Sequence, residues 1–182
     1  MNDDLRVELE QLLEADEALR KEAWGIIEEH GPSSPQAEEA LKRGEDAARI
    51  RIAKLTEILD EHGWPGRSLV GEKACRGAFL VLQHADLEMQ KKYLPLLREA
   101  TAAGEIKRTA LPLLEDRVLM KDGKEQLYGS QLVHGKDGQP ELWPIADEAH
   151  VDERRASMGL PPLAEYLTRA GLGHLRKGDT DG

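Results

Sequence analysis

The sequence predicts a mainly α-helical fold, about six helices arranged around a central third helix, with one β-hairpin attached. Three observations predict it. Apolar residues recur at three- and four-residue steps over most of the chain, Gly and Pro punctuate those runs, and a single alternating stretch lies between residues 126 and 145. In residues 3–29 the positions Leu5, Leu9, Leu12, Leu19, Ala23 and Ile26 share one helix face. The break Gly31-Pro32-Ser33-Ser34-Pro35 ends that helix and starts the next, with Ser33 or Ser34 as cap and Pro35 in the first turn. The second helix runs to about Glu61, and its stripe of Leu41, Ala48, Ile52, Leu55 and Leu59 suits an antiparallel hairpin with the first.

His62-Gly63-Trp64-Pro65-Gly66 then reads as a helix end followed by a loop, dividing an acidic hairpin (1–62) from a second section of the same domain (63–172). A third helix is expected over 71–101, with Pro95 kinking or breaking its last turns and Gly104 closing it. A fourth covers about 107–121 and stops at Asp122-Gly123. Residues 126–133, the turn Gly135-Lys136-Asp137-Gly138, and residues 141–145 read as the hairpin, with Pro144 placing the second strand at an edge. Helices at about 148–158, closed by Gly159, and 162–170 complete the fold, and 173–182 read as a flexible tail.

Composition excludes several functions. The 182 residues carry 35 acidic and 25 basic side chains, a formal net charge of −10, which argues against a general phosphate-backbone binder, and no nucleic-acid partner is expected. Residues 1–62 hold 17 acidic and 8 basic side chains, a balance of −9, while the remaining 120 hold 18 and 17. The excess therefore belongs to the N-terminal hairpin, which is either a solvated outer face or a surface for a basic protein partner. No apolar run of about 18 residues offers a membrane span, and the start of the chain lacks a secretory pattern, so a cytoplasmic protein is expected.

On a wheel of the expected third helix, Ala74, Cys75, Ala78, Phe79, Leu82, Ala85, Met89, Tyr93, Leu96 and Leu97 share one sector, and Asp86 falls inside it. Beside Asp86 run Glu72, Arg76, Gln83 and Gln90, of which Gln83, Asp86 and Gln90 stack along one line. A carboxylate on an apolar face must be paired, hydrogen-bonded or functional. An ion pair or a cap contact explains it as packing; a ligand or catalytic site explains it as chemistry. The fourth helix repeats the pattern, with Asp116 between apolar neighbours and Arg117 beside it. If both helices pack together, Asp86 and Asp116 could face one cavity as base and acid, with Arg76 or Arg117 as counter-charge. In the hairpin, Tyr128 can donate a hydrogen bond to a substrate oxygen and Gly129 lets a ligand approach the backbone.

Other chemistry lacks support. His84 and Asp86 are two apart and point away from each other on a regular helix, and His30, His62, His134, His150 and His174 show no metal-ligand spacing. No metal site is expected. There is no glycine-rich nucleotide loop and no nucleophile elbow, hence no expected cofactor, and Cys75 reads as a small core residue.

The stretch from Gly63-Trp64-Pro65 through Gln83-His84-Ala85-Asp86, Gln90, Asp116-Arg117 and Gln126-Leu127-Tyr128-Gly129-Ser130-Gln131 to Val151-Asp152-Glu153-Arg154-Arg155 and Gly159-Leu160-Pro161-Pro162-Leu163 resembles an uncharacterised bacterial family, catalogued as a domain of unknown function. The likeness covers about residues 60–168, and Ser130 stands where that family usually has Thr. What the resemblance implies is a site rather than packing at these polar positions, His84 included, although periodicity puts His84 at the surface. It implies no reaction.

The combined expectation is a small cytoplasmic bacterial enzyme without a redox cofactor, acting by acid–base chemistry on a small polar or amine-bearing substrate in specialised metabolism. Asp86 and Asp116 are its candidate base and acid, with His84 as proton shuttle. Gln83, Gln90, Gln126 and Tyr128 are the substrate-orienting residues, and Arg76 and Arg117 the charge-balancing ones. The alternative is a non-catalytic interaction module that docks a protein through the acidic helices.

Overall fold

A computed structural model describes residues 1–135 and 138–175; Lys136 and Asp137 of the expected turn, the side chain of His174 and the tail from 176 lie outside the described residues. The fold is mainly α-helical, with seven α-helices and one two-stranded antiparallel hairpin among the described residues. No described helix is long and apolar enough to cross a membrane. The chain forms two compact units, Met1–Ile106 and Lys107–Gly182.

The first unit begins with α1 (Asp3–His30), capped by the Asn2 side chain accepting from the Leu5 N–H, and α2 (Pro35–His62), capped by Ser34 with Pro35 in its first turn. Gly31 and Gly63 end them at φ of 85° and 70°, conformations that other residues adopt only at a cost. Against this pair lies α3 (Arg67–His84), kinked at Gly71. Gly77 lets α1 and α3 approach closely: a Cβ there would stand 3.2 Å from the Leu9 carbonyl oxygen and 3.3 Å from the Leu13 Cβ. Leu5, Leu9 and Leu13 of α1, Leu55, Ile58 and Leu59 of α2, and Val70, Ala74, Ala78 and Leu82 of α3 are buried. Polar edges reinforce the packing, as Arg51 of α2 meets Asp16 at 2.6 Å and Lys73 of α3 meets Glu14 at 2.7 Å. The N-terminus of α3 is served from a distance, since the Ser68 N–H donates to the Glu105 carboxylate at 2.9 Å.

The long third helix of the sequence reading is two helices. α3 ends at His84, Ala85 and Asp86 are extended, and α4 (Leu87–Ala102) starts anew. The cause is Asp86, whose carboxylate accepts the Met89 N–H at 2.8 Å as an N-cap, and an N-cap must leave helical geometry. A wheel drawn through the break therefore misplaces it: Asp86 is exposed rather than buried among the apolar residues. Pro95 sits inside α4, which continues to Ala102. Replacing Asp86 with Ala is expected to lower unfolding stability by about 1 kcal/mol in urea titrations, with Asp86→Ser retaining most of it.

The second unit contains α5 (Ala110–Lys121), the strands β1 (Leu132–His134) and β2 (Pro140–Leu142), a short 3-10 turn at Glu148–His150, then α6 (Val151–Ser157) and α7 (Leu163–Arg169). The strands pair in the register Leu132–Leu142, Val133–Glu141 and His134–Pro140. Val151, Leu163 and Leu167 are buried, with Leu142, Ile145 and Tyr166 packed against them. Residues 126–131, expected to extend β1, are instead a folded loop. Gly129 turns it at φ 71°, and a Cβ on Gly129 would stand 2.7 Å from Leu163 and 3.0 Å from Ile145.

Candidate functional site

The polar residues of the first unit build a helix junction. Gln90, fully buried, donates from its amide to the Gln83 carbonyl at 2.8 Å and to that of Leu82 at 3.5 Å, closing the end of α3 while Asp86 opens α4. Gln83 is half-buried, His84 and Arg76 are exposed, and all three lie on α3. Cys75 is buried, with its thiol donating to the Glu105 carbonyl at 3.4 Å; burial pushes its pKa up, which suits a core residue rather than a nucleophile.

The second unit gathers the rest. Asp116 on α5 is fully buried, and its oxygens accept backbone N–H groups from Leu127 at 2.7 Å, Tyr128 at 3.1 Å and Ser130 at 3.0 Å. Three donors converging on one carboxylate fold the 126–131 loop around it. Gln126 closes the loop from the opposite side, its amide acting as a peptide group would. Its oxygen accepts the Gln131 N–H at 2.8 Å, and its nitrogen donates to the carbonyls of Gln131 at 3.1 Å and Trp143 at 2.6 Å. With its donors and acceptor so committed, Gln126 holds the backbone rather than presenting an amide to a substrate. Arg117 reaches the Gln131 side chain at 3.4 Å, and burial lowers its pKa.

Two arginines of α6 take the loop's carbonyl oxygens. Arg154 donates from Nε to Leu127 at 2.8 Å and from Nη2 to Ala146 at 2.6 Å. Arg155, only 1% exposed, donates to Tyr128 at 2.5 Å and Pro161 at 2.7 Å, and its guanidinium lies 4.9 Å from the Tyr166 ring centre. Negative charge thus holds the N–H groups of the loop and positive charge its carbonyls. Asp152 in turn accepts the Leu163 N–H at 2.7 Å, which ties α6 to α7. Gln131, Arg154 and Arg155 had no assigned role from spacing, although the family resemblance drew attention to their positions.

What this cage presents is Tyr128. Its side chain is half-buried and hydrogen-bonded to Glu115, itself 8% exposed, and its phenol pKa is pushed up to about 12. Burial is the main cause, followed by the Glu115 carboxylate and, more weakly, Asp116. The neutral phenol's contribution to stability is therefore fully present below about pH 10 and is lost as pH rises towards 12. Glu115 was missed in the sequence because it lies one residue, about 100° around the helix, from the more conspicuous Asp116. Asp86 and Asp116 fall in different units, and each makes its hydrogen bonds inside its own. Among the described residues no group of three or more His, Cys, Asp or Glu side chains could hold a metal ion.

Comparison with known proteins adds a family but no activity. A family model described as a family of unknown function, DUF6624, matches residues 3–172. No curated protein and no solved structure matches the chain.

Proposed function

The chain belongs to the DUF6624 family of unknown function, and from the second unit we propose a small bacterial, cytoplasmic enzyme that uses acid–base chemistry on a small polar or amine-bearing substrate, in specialised metabolism and without a redox cofactor. The observation that supports this reading is the Tyr128 phenol, raised to about 12 and hydrogen-bonded to the buried Glu115. A phenol with that pKa stays protonated at physiological pH, and its one O–H, which donates to Glu115 in the free protein, can turn to a substrate oxygen as negative charge develops there and leave the carboxylate free to accept. Glu115, the acceptor of that phenol, is the group that takes the substrate proton. Asp86 and Asp116 do not carry protons in this reading, because their oxygens serve backbone N–H groups. Asp116, Gln126, Arg154 and Arg155 are positioning residues, and the motif seen in the sequence is explained by the loop they hold.

The test is incubation of the protein with a panel of amines, amino acids and amides, followed by mass spectrometry. Consumption of a panel member that falls about 100-fold in kcat for Tyr128→Phe supports the reading. Consumption unchanged in both Tyr128→Phe and Glu115→Gln contradicts it.

A second reading, an interaction module, is favoured by one observation. On the acidic hairpin Trp24 is 64% exposed, Leu41 49% and Ile50 70%, large apolar side chains suited to a protein partner. Absence of any turnover in the panel, together with loss of a basic partner on Trp24→Ala, would favour it over the enzyme.

A further inference from the structure

A cleft of about 530 Å³ opens in the second unit between β2 and the segment that follows it. That volume falls in the range of small-molecule sites. Its walls are Leu142, Trp143, Ile145 and Leu175, and its acidic residues are Glu141 and Glu148. The walls are firmly held. Leu142, Ile145 and Leu175 pack on the buried cluster of Val151, Leu163 and Leu167. The Trp143 indole N–H donates to the Lys124 carbonyl at 2.7 Å, while its backbone N–H donates to the Gln131 carbonyl at 3.1 Å and its carbonyl accepts from Gln126 at 2.6 Å. An indole fixed by one edge and by its own backbone is a preformed surface rather than a side chain that must order on binding.

The charges select the occupant. Asp147 binds His150 and Arg154, Asp152 accepts the Leu163 N–H, and Glu165 pairs with Arg169, so these carboxylates of the unit are taken. Glu141 and Glu148 make no ion pair or hydrogen bond with a described side chain. Two uncommitted carboxylates beside an indole and an apolar floor repel anions and leave a neutral ligand with no charge partner. They complement a cation carried on an apolar body, which the indole attracts through its π-face and the carboxylates through charge.

We propose that this cleft binds a small organic cation, an alkyl- or arylammonium ion, with its apolar part on Trp143 and Leu142 and its ammonium group at Glu141 and Glu148. The site is defined independently of the acid–base reading, since binding requires neither Tyr128 nor turnover. Ligand-observed NMR titrations of the full chain with phenethylammonium, 2-phenylethanol and phenylacetate test it, because the three probes share a ring and differ in charge. Phenethylammonium is expected to bind saturably and about tenfold or more tighter than 2-phenylethanol, with no binding of phenylacetate. Glu141→Gln/Glu148→Gln, two exposed changes that leave the fold intact, should weaken it about tenfold, and Trp143→Leu by a similar factor. Equal affinity for the cation and the alcohol overturns the proposal, as does an unchanged affinity in the double glutamine variant or no saturation by about 10 mM. Tyr128→Phe is expected to leave phenethylammonium affinity unchanged, so failure of the cleft and failure of the acid–base reading are separate outcomes.

Discussion

Asp116→Ala is expected to remove about 3 kcal/mol from the local stability of the 126–131 loop, the largest effect of any single substitution in the second unit. The side chain is fully buried and answers three backbone N–H groups, so alanine leaves three donors facing a void that water must enter or the loop must abandon. Hydrogen exchange resolved by residue is the direct measurement. The amides of Leu127, Tyr128 and Ser130 should exchange roughly 100-fold faster, a factor of ten for each 1.4 kcal/mol, while protection in α1 through α4 is unchanged. Asp116→Asn keeps one good acceptor but points amide hydrogens at backbone donors, and its loss should lie between alanine and the parent.

Arg155→Ala is expected to cost nearly as much, again about 3 kcal/mol, by a different route. It removes two charge-assisted hydrogen bonds, to the carbonyls of Tyr128 and Pro161, and empties the space beside the Tyr166 ring. Arg155→Lys should recover little, because a single ammonium cannot span two carbonyls on separate segments while keeping a planar face on Tyr166. Urea denaturation followed by tyrosine and tryptophan signals reads the change. Asp116 and Arg155 grip opposite poles of one loop, so the double variant should lose less than the sum of the two single losses.

These effects bear on what could be read from residues alone. The first two helices were legible because each has an unbroken apolar period and hard punctuation, Gly31 through Pro35 and Gly63 through Pro65. The break at Asp86 was present as a signal, an Asp followed three residues later by the amide it caps, but a wheel averages over such a signal and returned a buried carboxylate instead. Segment 126–131 alternates as a strand does, and its true shape depends on Asp116 ten residues earlier and on Arg154 and Arg155 more than twenty residues later. Local periodicity cannot register bonds of that range. Composition did concentrate attention on the nearly neutral part of the chain, where the polar residues from Asp116 to Arg155 form one hydrogen-bonded loop cage while Gln83, Asp86 and Gln90 serve a helix junction in the first unit. Asp116 is conspicuous on a helix wheel, whereas Glu115 acquires its interest only when the loop brings Tyr128 to it.

The central claim is that this cage exists to hold a protonated Tyr128 against Glu115. Tyrosine labelled at Cζ and titrated by NMR tests that claim directly, with Tyr128→Phe assigning the signal. The account predicts a Tyr128 phenol that titrates near 12 and falls towards the ordinary value of about 10 in Glu115→Gln. A Tyr128 that titrates near 10 in the parent protein and does not move when Glu115 is changed would contradict it.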